Sequence, residues 1–399
     1  MKTHVSLAAP MATTYSYQLK CSTCEAVYDQ RQLQTFCALC GQSPISVKFE
    51  LGTSLPQHLI DFEERSMWRY AGVLPLKSKL NKVSLGEGWT PILQLDTLAT
   101  CLGMHRLLLK DESLNPTGSF KARGLSMAVS KAKELGVEAC IVPTAGNAGG
   151  ALSAYCAKAG MQATVVMPRH TPEAFKKECL AFGAELILVD GLINDCAQKA
   201  AILKKERHCF DVSTMKEPYR LEGKKTLGYE LAEQLDWSLP DVILYPAGGG
   251  TGLIGIWKAF EEMKSMGWLK EIPTRMVAVQ AANCQPLVAT FSGLQTSSAN
   301  YQGKATLANG LAVPRPFAER MMLDVLTQSD GMALAVSEDE IMASVKEMAR
   351  TEGLLVAPEG AALLAALKRL LKNGQIEVHQ KVMLLNTGSG YKYLDNFDF

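Results

Sequence analysis

From about residue 105 onward, short apolar runs alternate with longer stretches in which apolar residues recur every three or four positions. The runs that read as strands are Leu107–Leu109, Ala139–Thr144, Ala163–Pro168, Glu185–Asp190, Cys209–Ser213, Asp241–Pro246, Met276–Gln280, Met332–Ser337 and Lys381–Asn386. Helical periodicity fills Gly124–Leu135, Ala148–Ala159, Pro172–Phe182 and Ile193–Glu206, and helices are expected in the later gaps too. Regular alternation of this kind predicts βαβ units and parallel-rich sheets covered on both faces. The expected architecture is α/β in two lobes, with the functional site where the lobes meet. Residues 51–80, which include Trp68-Arg69-Tyr70, mix proline, charge and aromatics and read as a connector with one helix. Before them, Tyr28 and Ile45–Phe49 lie in alternating segments like short strands.

Bulk properties narrow the function classes. A chain of 399 residues is long enough for two or more domains. A net charge of +1 gives no reason to expect nucleic acid or an anionic membrane as partner. No apolar run reaches the roughly 18–20 residues that a bilayer span needs. Met1–Met11 is too weak in charge and apolar content for a secretion signal. Eleven cysteines, most of them scattered singly through apolar segments, suit a reducing, cytoplasmic setting better than a disulfide framework. The six histidines are dispersed without metal-protease spacing, so no catalytic metal is expected.

Four cysteines break this scatter. Cys21-Ser22-Thr23-Cys24 and Cys37-Ala38-Leu39-Cys40 are two CxxC pairs separated by twelve residues. Each pair can present two thiolates from one tight turn, and four together close a tetrahedral site. A structural Zn²⁺ in a ribbon-like module is the expectation, with free thiols or a redox pair as alternatives.

The candidate chemistry lies at strand ends. After Leu107–Leu109 comes Asn115-Pro116-Thr117-Gly118-Ser119-Phe120-Lys121-Ala122-Arg123-Gly124, which puts Lys121 at the head of a helix. The positive end of the helix dipole disfavours an ammonium there, and burial disfavours it further. Such a lysine is a nucleophilic amine suited to Schiff-base chemistry. Thr144-Ala145-Gly146-Asn147-Ala148-Gly149-Gly150 ends a strand and starts a helix, so its backbone N–H groups can hold a carboxylate, and Asn147 can bond a phenolic oxygen. Pro246-Ala247-Gly248-Gly249-Gly250-Thr251-Gly252-Leu253 reads as a phosphate cradle. No GK[ST] follows, and no acid some 20 residues on suits a dinucleotide ribose, Glu261 and Glu262 reading as helix-surface charges. A single phosphate monoester therefore fits best. Ser84-Leu85-Gly86-Glu87-Gly88-Trp89-Thr90-Pro91 and Leu385-Asn386-Thr387-Gly388-Ser389-Gly390-Tyr391-Lys392 are loops, the second pointing hydroxyls into the same crevice.

Taken together these stretches resemble the fold-type II pyridoxal-phosphate enzymes, and among them the threonine synthase group. Arg220-Leu221-Glu222-Gly223-Lys224-Lys225-Thr226 and Pro358-Glu359-Gly360-Ala361-Ala362 match as well. The resemblance implies pyridoxal 5′-phosphate as cofactor, with Lys121 carrying the internal aldimine and acting as the catalytic base. It implies that Phe120 packs beside the ring, Asn147 bonds the ring hydroxyl, Gly248, Gly249, Gly250, Thr251 and Gly252 hold the 5′-phosphate, and Thr387 bonds the ring nitrogen. Thr90, Thr144, Ala145, Gly146 and Lys224 are the expected substrate-binding residues. The implied reaction converts O-phosphohomoserine and water to L-threonine and phosphate, in a cytoplasmic homodimer of a biosynthetic lyase.

Some positions depart from the group's usual pattern. Val212-Ser213-Thr214-Met215-Lys216-Glu217-Pro218-Tyr219 stands where an Asn-rich segment is common, Lys224 where Gln is common, and Ala122 where Asp is common. The substrate phosphate needs a second anion site, for which Ser84, Thr90, Lys121, Arg123, Ser213, Thr214, Lys224 and Lys225 are candidates. A serine/threonine ammonia-lyase, or another β-elimination or β-replacement enzyme, is the second reading, and a non-catalytic zinc-containing scaffold the third. The expected division is a zinc-ribbon-like module at 15–50, a large cofactor-binding lobe at 51–124 and 223–399, and a small α/β lobe at 125–222.

Overall fold

The computed structural model describes residues 15–41 and 43–398; the Met1–Met11 segment lies outside them. The N-terminal module is a three-stranded antiparallel sheet of β1 (Tyr17–Cys21), β2 (Val27–Tyr28) and β3 (Ile45–Phe49), with β1 in the middle. The connector holds three short 3₁₀ segments, Pro56–His58, Met67–Val73 and Lys79–Asn81, where one helix was expected. Its prolines and the kink at Tyr70 prevent a longer helix.

The chain then runs through β4 (Ile92–Gln94), α1 (Asp96–Leu102), β5 (Arg106–Asp111) and α2 (Lys121–Glu134). Next come β6 (Ala139–Pro143), α3 (Asn147–Ala159), β7 (Gln162–Pro168), α4 (Glu173–Ala181), β8 (Glu185–Val189), α5 (Ile193–Arg207), β9 (Phe210–Asp211) and α6 (Tyr219–Gln234). The rest is β10 (Val242–Pro246), α7 (Thr251–Ser265), β11 (Arg275–Ala281), α8 (Pro286–Phe291), α9 (Glu319–Gln328), β12 (Met332–Val336), α10 (Glu338–Glu352), α11 (Pro358–Lys372) and β13 (Lys381–Asn386).

Two sheets result. The larger has the order β12-β11-β10-β13-β5-β4, parallel except for β4; the smaller is β8-β7-β6-β9, all parallel. Their central strands are buried on both faces, as parallel sheets clad in helices must be. The division expected at 222/223 falls inside the single continuous helix α6, which packs against α2 and against α7 of the larger sheet. Polar residues hide this helix from a periodicity search, because fourteen of its sixteen positions are buried all round. Glu262, expected on a helix surface, is buried: Lys225 and Lys258 pair with it, and Lys258 also bonds the Val47 carbonyl and pairs with Glu222. The N-terminal module thereby seats on α6 and α7.

Candidate active site

The strand ends meet at a cleft of about 220 Å³, lined by Lys121, Thr144–Asn147, Ser213, Thr214, Lys224, Gly248–Thr251, Glu359 and Thr387, among others. Two connections fix Lys121 there. The Pro116–Gly118 turn carries Thr117 at φ 59, and Phe120 N–H donates to the Thr387 carbonyl at 3.1 Å. The first residue of α2 is thus stitched to the end of β13. Lys121 is only half-buried because the cleft reaches it, yet it lies deep among protein atoms, and among the described residues no carboxylate pairs with it. Burial and then the Arg220 guanidinium push its amine down to about 8, against the opposing pull of Glu359. The neutral amine is the form that attacks an aldehyde. Uptake of pyridoxal phosphate by the apo-protein should therefore quicken as pH rises through about 8, and Arg220→Met should move that midpoint upward. Stopped-flow absorbance across pH 6.5–9.5 checks both; a rate that does not change with pH would contradict the depressed amine.

The glycine loop meets the chemistry of a phosphate. Gly250 sits at φ 74 as the residue before α7, and a Cβ there would overlap the Met322 sulfur. The unpaired N–H groups of the first turn of α7 face the cleft without a side-chain cap, as an anion requires. Lys224 Nζ donates to Thr251 Oγ1 at 3.0 Å and lies 4.6 Å from the centre of the Phe120 ring. Burial, then Lys121 and Arg220, hold the Lys224 ammonium well below its ordinary range, a strain that a phosphate dianion would relieve. A lone amine, a helix N-terminus and this added cation together fit pyridoxal phosphate. Phe120 and Gly252 back the cleft wall: Phe120 is fully buried, and a Cβ at Gly252 would lie 2.6 Å from its ring.

Across the cleft, Gly146 N–H donates to Thr144 Oγ1 at 3.1 Å, and Asn147 is the first residue of α3. Of the eight residues offered for the second anion site, Lys121, Ser213, Thr214 and Lys224 line the cleft. The other four are engaged elsewhere. Thr90, expected to touch substrate, is buried with its hydroxyl on Glu112 (2.5 Å) and its N–H on Glu230 (2.8 Å). Arg123 bridges the same two carboxylates at 2.6 and 2.8 Å, with Lys110 on Glu230 at 2.5 Å. Ser84 donates to Glu87, and Lys225 is locked between Glu222 and Glu262. Their polar atoms are spent on neighbours, which spacing along the chain cannot show.

Three residues in or beside matched stretches acquire surroundings that the sequence left open. Arg220 is fully buried; its Nη1 donates to the Val212 carbonyl at 2.6 Å, but Nε and Nη2 have no partner. Two orphaned guanidinium donors on a residue bonded to the Val212 carbonyl are costly unless an anion completes them. Glu359 accepts from Gly310 N–H and Tyr393 O–H on one oxygen, while the other has no partner. Lys392 bonds Thr117, Asn147 and Glu178 at once.

At the other end of the chain, Cys21, Cys24, Cys37 and Cys40 place their sulfurs all within 4.8 Å of one another. The Cys21–Cys40 and Cys24–Cys37 separations are 3.4 and 3.7 Å. Four ligands at the usual zinc–thiolate distance stand about 3.8 Å apart.

Residues 83–388 match the family described as pyridoxal-phosphate dependent enzyme. The chain belongs to that family. It is 33% identical to a threonine synthase of Methanocaldococcus jannaschii, over 94% of this chain and 92% of that one, and 32% identical to a threonine synthase of Methanosarcina acetivorans over 93% and 91%. Within the family it stands with the threonine synthases, as a pyridoxal-phosphate-dependent lyase. Among solved structures it is similar to the T.th. threonine deaminase, with a TM-score of 0.62 at 26% identity over 78% of this chain and 93% of that one.

Proposed function

We propose that the protein converts O-phosphohomoserine and water into L-threonine and phosphate. The observation that supports this reading is a second cationic region apart from the glycine loop: Ser213, Thr214 and Lys216 line the cleft, and the buried Arg220, bonded to the adjoining Val212 carbonyl, keeps two donors without a partner. An ammonia-lyase acting on threonine or serine has no second phosphate to place there. Gly248–Gly252 would hold the cofactor phosphate, Asn147 the ring hydroxyl and Thr387 the ring nitrogen, with Phe120 beside the ring. Pyridoxal phosphate, when bound, supplies an electron sink that acidifies the Cα hydrogen of an attached amino acid.

The chain's own residues do the rest. Thr144 and the N–H groups of Ala145, Gly146 and Asn147 hold the substrate carboxylate and fix which Cα bond faces Lys121. Lys121, neutral above about pH 8, takes the Cα proton and returns protons along the substrate chain. Ser213 and Thr214, with the Arg220 charge adjoining them, hold the γ-phosphate and stabilise the charge that grows as it leaves. Lys224, already on the glycine loop through Thr251, stands between the two anion sites and serves both.

Arg220→Met should lower kcat/KM for O-phosphohomoserine by about 10²-fold or more, the scale of a lost charge-assisted pair, while cofactor content stays near that of the unaltered protein. The experiment pairs phosphate release with threonine formation, and offers threonine and serine in parallel. Oxoacid from threonine or serine, without turnover of O-phosphohomoserine, would make the chain an ammonia-lyase.

The same reading gives the four thiolates one structural Zn²⁺ and the protein a cytoplasmic homodimer. Among the described residues no helix is long and apolar enough to cross a membrane. Chelation, or Cys37→Ser, should release the metal and lower the melting temperature, because the module is braced on α6 and α7 by Lys258. Metal analysis with calorimetry before and after chelation checks this, and a metal-free protein of unchanged melting temperature would count against it.

A further inference from the structure

Lys392 lies just past β13, in a short 3₁₀ segment, Gly390–Asn396, and its side chain is 15% exposed. It meets three segments at once. It donates to the Thr117 carbonyl at 2.6 Å, in the turn that delivers Lys121; to Asn147 Oδ1 at 3.2 Å, at the start of α3; and to both oxygens of Glu178 on α4 at 2.8 Å. The Thr117 carbonyl belongs to a residue with φ 59, so the lysine secures a turn of uncommon geometry. Glu178 is held in turn. It lies flat on α3 over Gly150, where a Cβ would overlap its carboxylate.

The contact with Asn147 has a chemical consequence. An ammonium has three donors and no acceptor, so the carboxamide atom facing Lys392 is the oxygen. The NH₂ must then lie on the opposite side; a Cβ at Gly388 would stand 3.4 Å from Nδ2, at the end of β13 where the cleft begins. A free carboxamide could turn over and offer its oxygen to the cleft, where it would repel the oxygen of a phenol or phenolate. We propose that Lys392, anchored by Glu178, is a positioning residue that locks Asn147 with its NH₂ toward the cofactor's ring oxygen. This rests on the reading of Asn147 as the partner of that oxygen.

The test is a double-mutant cycle on apo-protein, reading affinity for pyridoxal phosphate by absorbance titration, and melting temperature alongside. Lys392→Met and Asn147→Ala should each weaken cofactor binding by about tenfold, the scale of a charge-assisted hydrogen bond, and the double variant should be no weaker than Asn147→Ala alone. Lys392→Arg keeps a donor-only group and should retain most of the affinity; Lys392→Gln, which can offer Asn147 an oxygen, should not. Glu178→Gln should fall between Lys392→Met and the unaltered protein. Additive losses in the cycle, or an affinity within twofold for Lys392→Met, would overturn the clamp. If Asn147→Ala binds cofactor normally while Lys392→Met does not, the reading of Asn147 fails and the clamp falls with it. If Asn147→Ala weakens binding and Lys392→Met does not, only the clamp fails. Should Lys392→Met not fold, the arginine and glutamine variants carry the comparison.

Discussion

Lys121→Ala should lose turnover of O-phosphohomoserine by about 10⁴-fold or more, the upper end of what acid–base catalysis alone contributes. The cleft reaches Lys121 without an ion pair to it among the described residues, it heads α2 at the end of β13, and burial with Arg220 sets its amine at about 8. The variant should fold normally, because the turn is held by backbone contacts to Thr387 and Gly388 and not by the lysine's side chain. Its mixture with pyridoxal phosphate should show the spectrum of the free aldehyde. Phosphate release and the visible spectrum read the two effects separately; turnover within tenfold of the unaltered protein would remove Lys121 from the chemistry.

Arg123→Met should cost about 3–5 kcal/mol of stability, the scale for breaking a buried ion network from one side. Arg123, Glu112, Glu230 and Lys110 are all fully buried, and Arg123 touches both carboxylates. Without it, Glu112 and Glu230 would share the single lysine. Burial alone would raise the Glu230 carboxyl, but Arg123 and Lys110 outweigh it and hold it at about 2. Because the folded value lies below the ordinary 4.5, this stabilisation is complete above that pH and is lost as pH falls toward about 2. Urea unfolding at pH 7 and 4 measures both, and a loss below 1 kcal/mol for Arg123→Met at pH 7 would contradict the account. The network stands two residues beyond Lys121 on α2, so an Arg123 variant that folds should also bind cofactor less tightly.

Chain order alone made much of this legible. Every strand expected from apolar runs exists within a residue or three, and Lys121, Thr144–Asn147, Gly248–Thr251 and Thr387 do converge on one cleft. Those residues were readable because each sits where a strand ends and the backbone must turn, which leaves a mark in glycine, proline and small polar residues. Thr90, Arg123 and Lys225 were misplaced for a different reason. A charge or hydroxyl near a motif looks free until the fold shows a buried partner, and their partners Glu230 and Glu262 lie far along the chain. Arg220 and Lys392 have the opposite history. They stood in or beside matched stretches without a role, and only their unpaired or many-sided surroundings give them one. Helix α6 escaped notice because its polar side chains are buried among one another.

The place of β13 in the large sheet governs when this enzyme can come into being. Residues 381–386 lie between β10 and β5, paired to a strand that was synthesised some 270 positions earlier. Until that segment leaves the ribosome, β5-β4 and β12-β11-β10 are two fragments with open edges, and the turn bearing Lys121 has no strand end to rest on. A nascent or truncated chain therefore exposes adhesive edges and cannot retain its cofactor. Insertion of residues 381–386, rather than assembly of the glycine loop, is the event that joins the two halves of the large sheet.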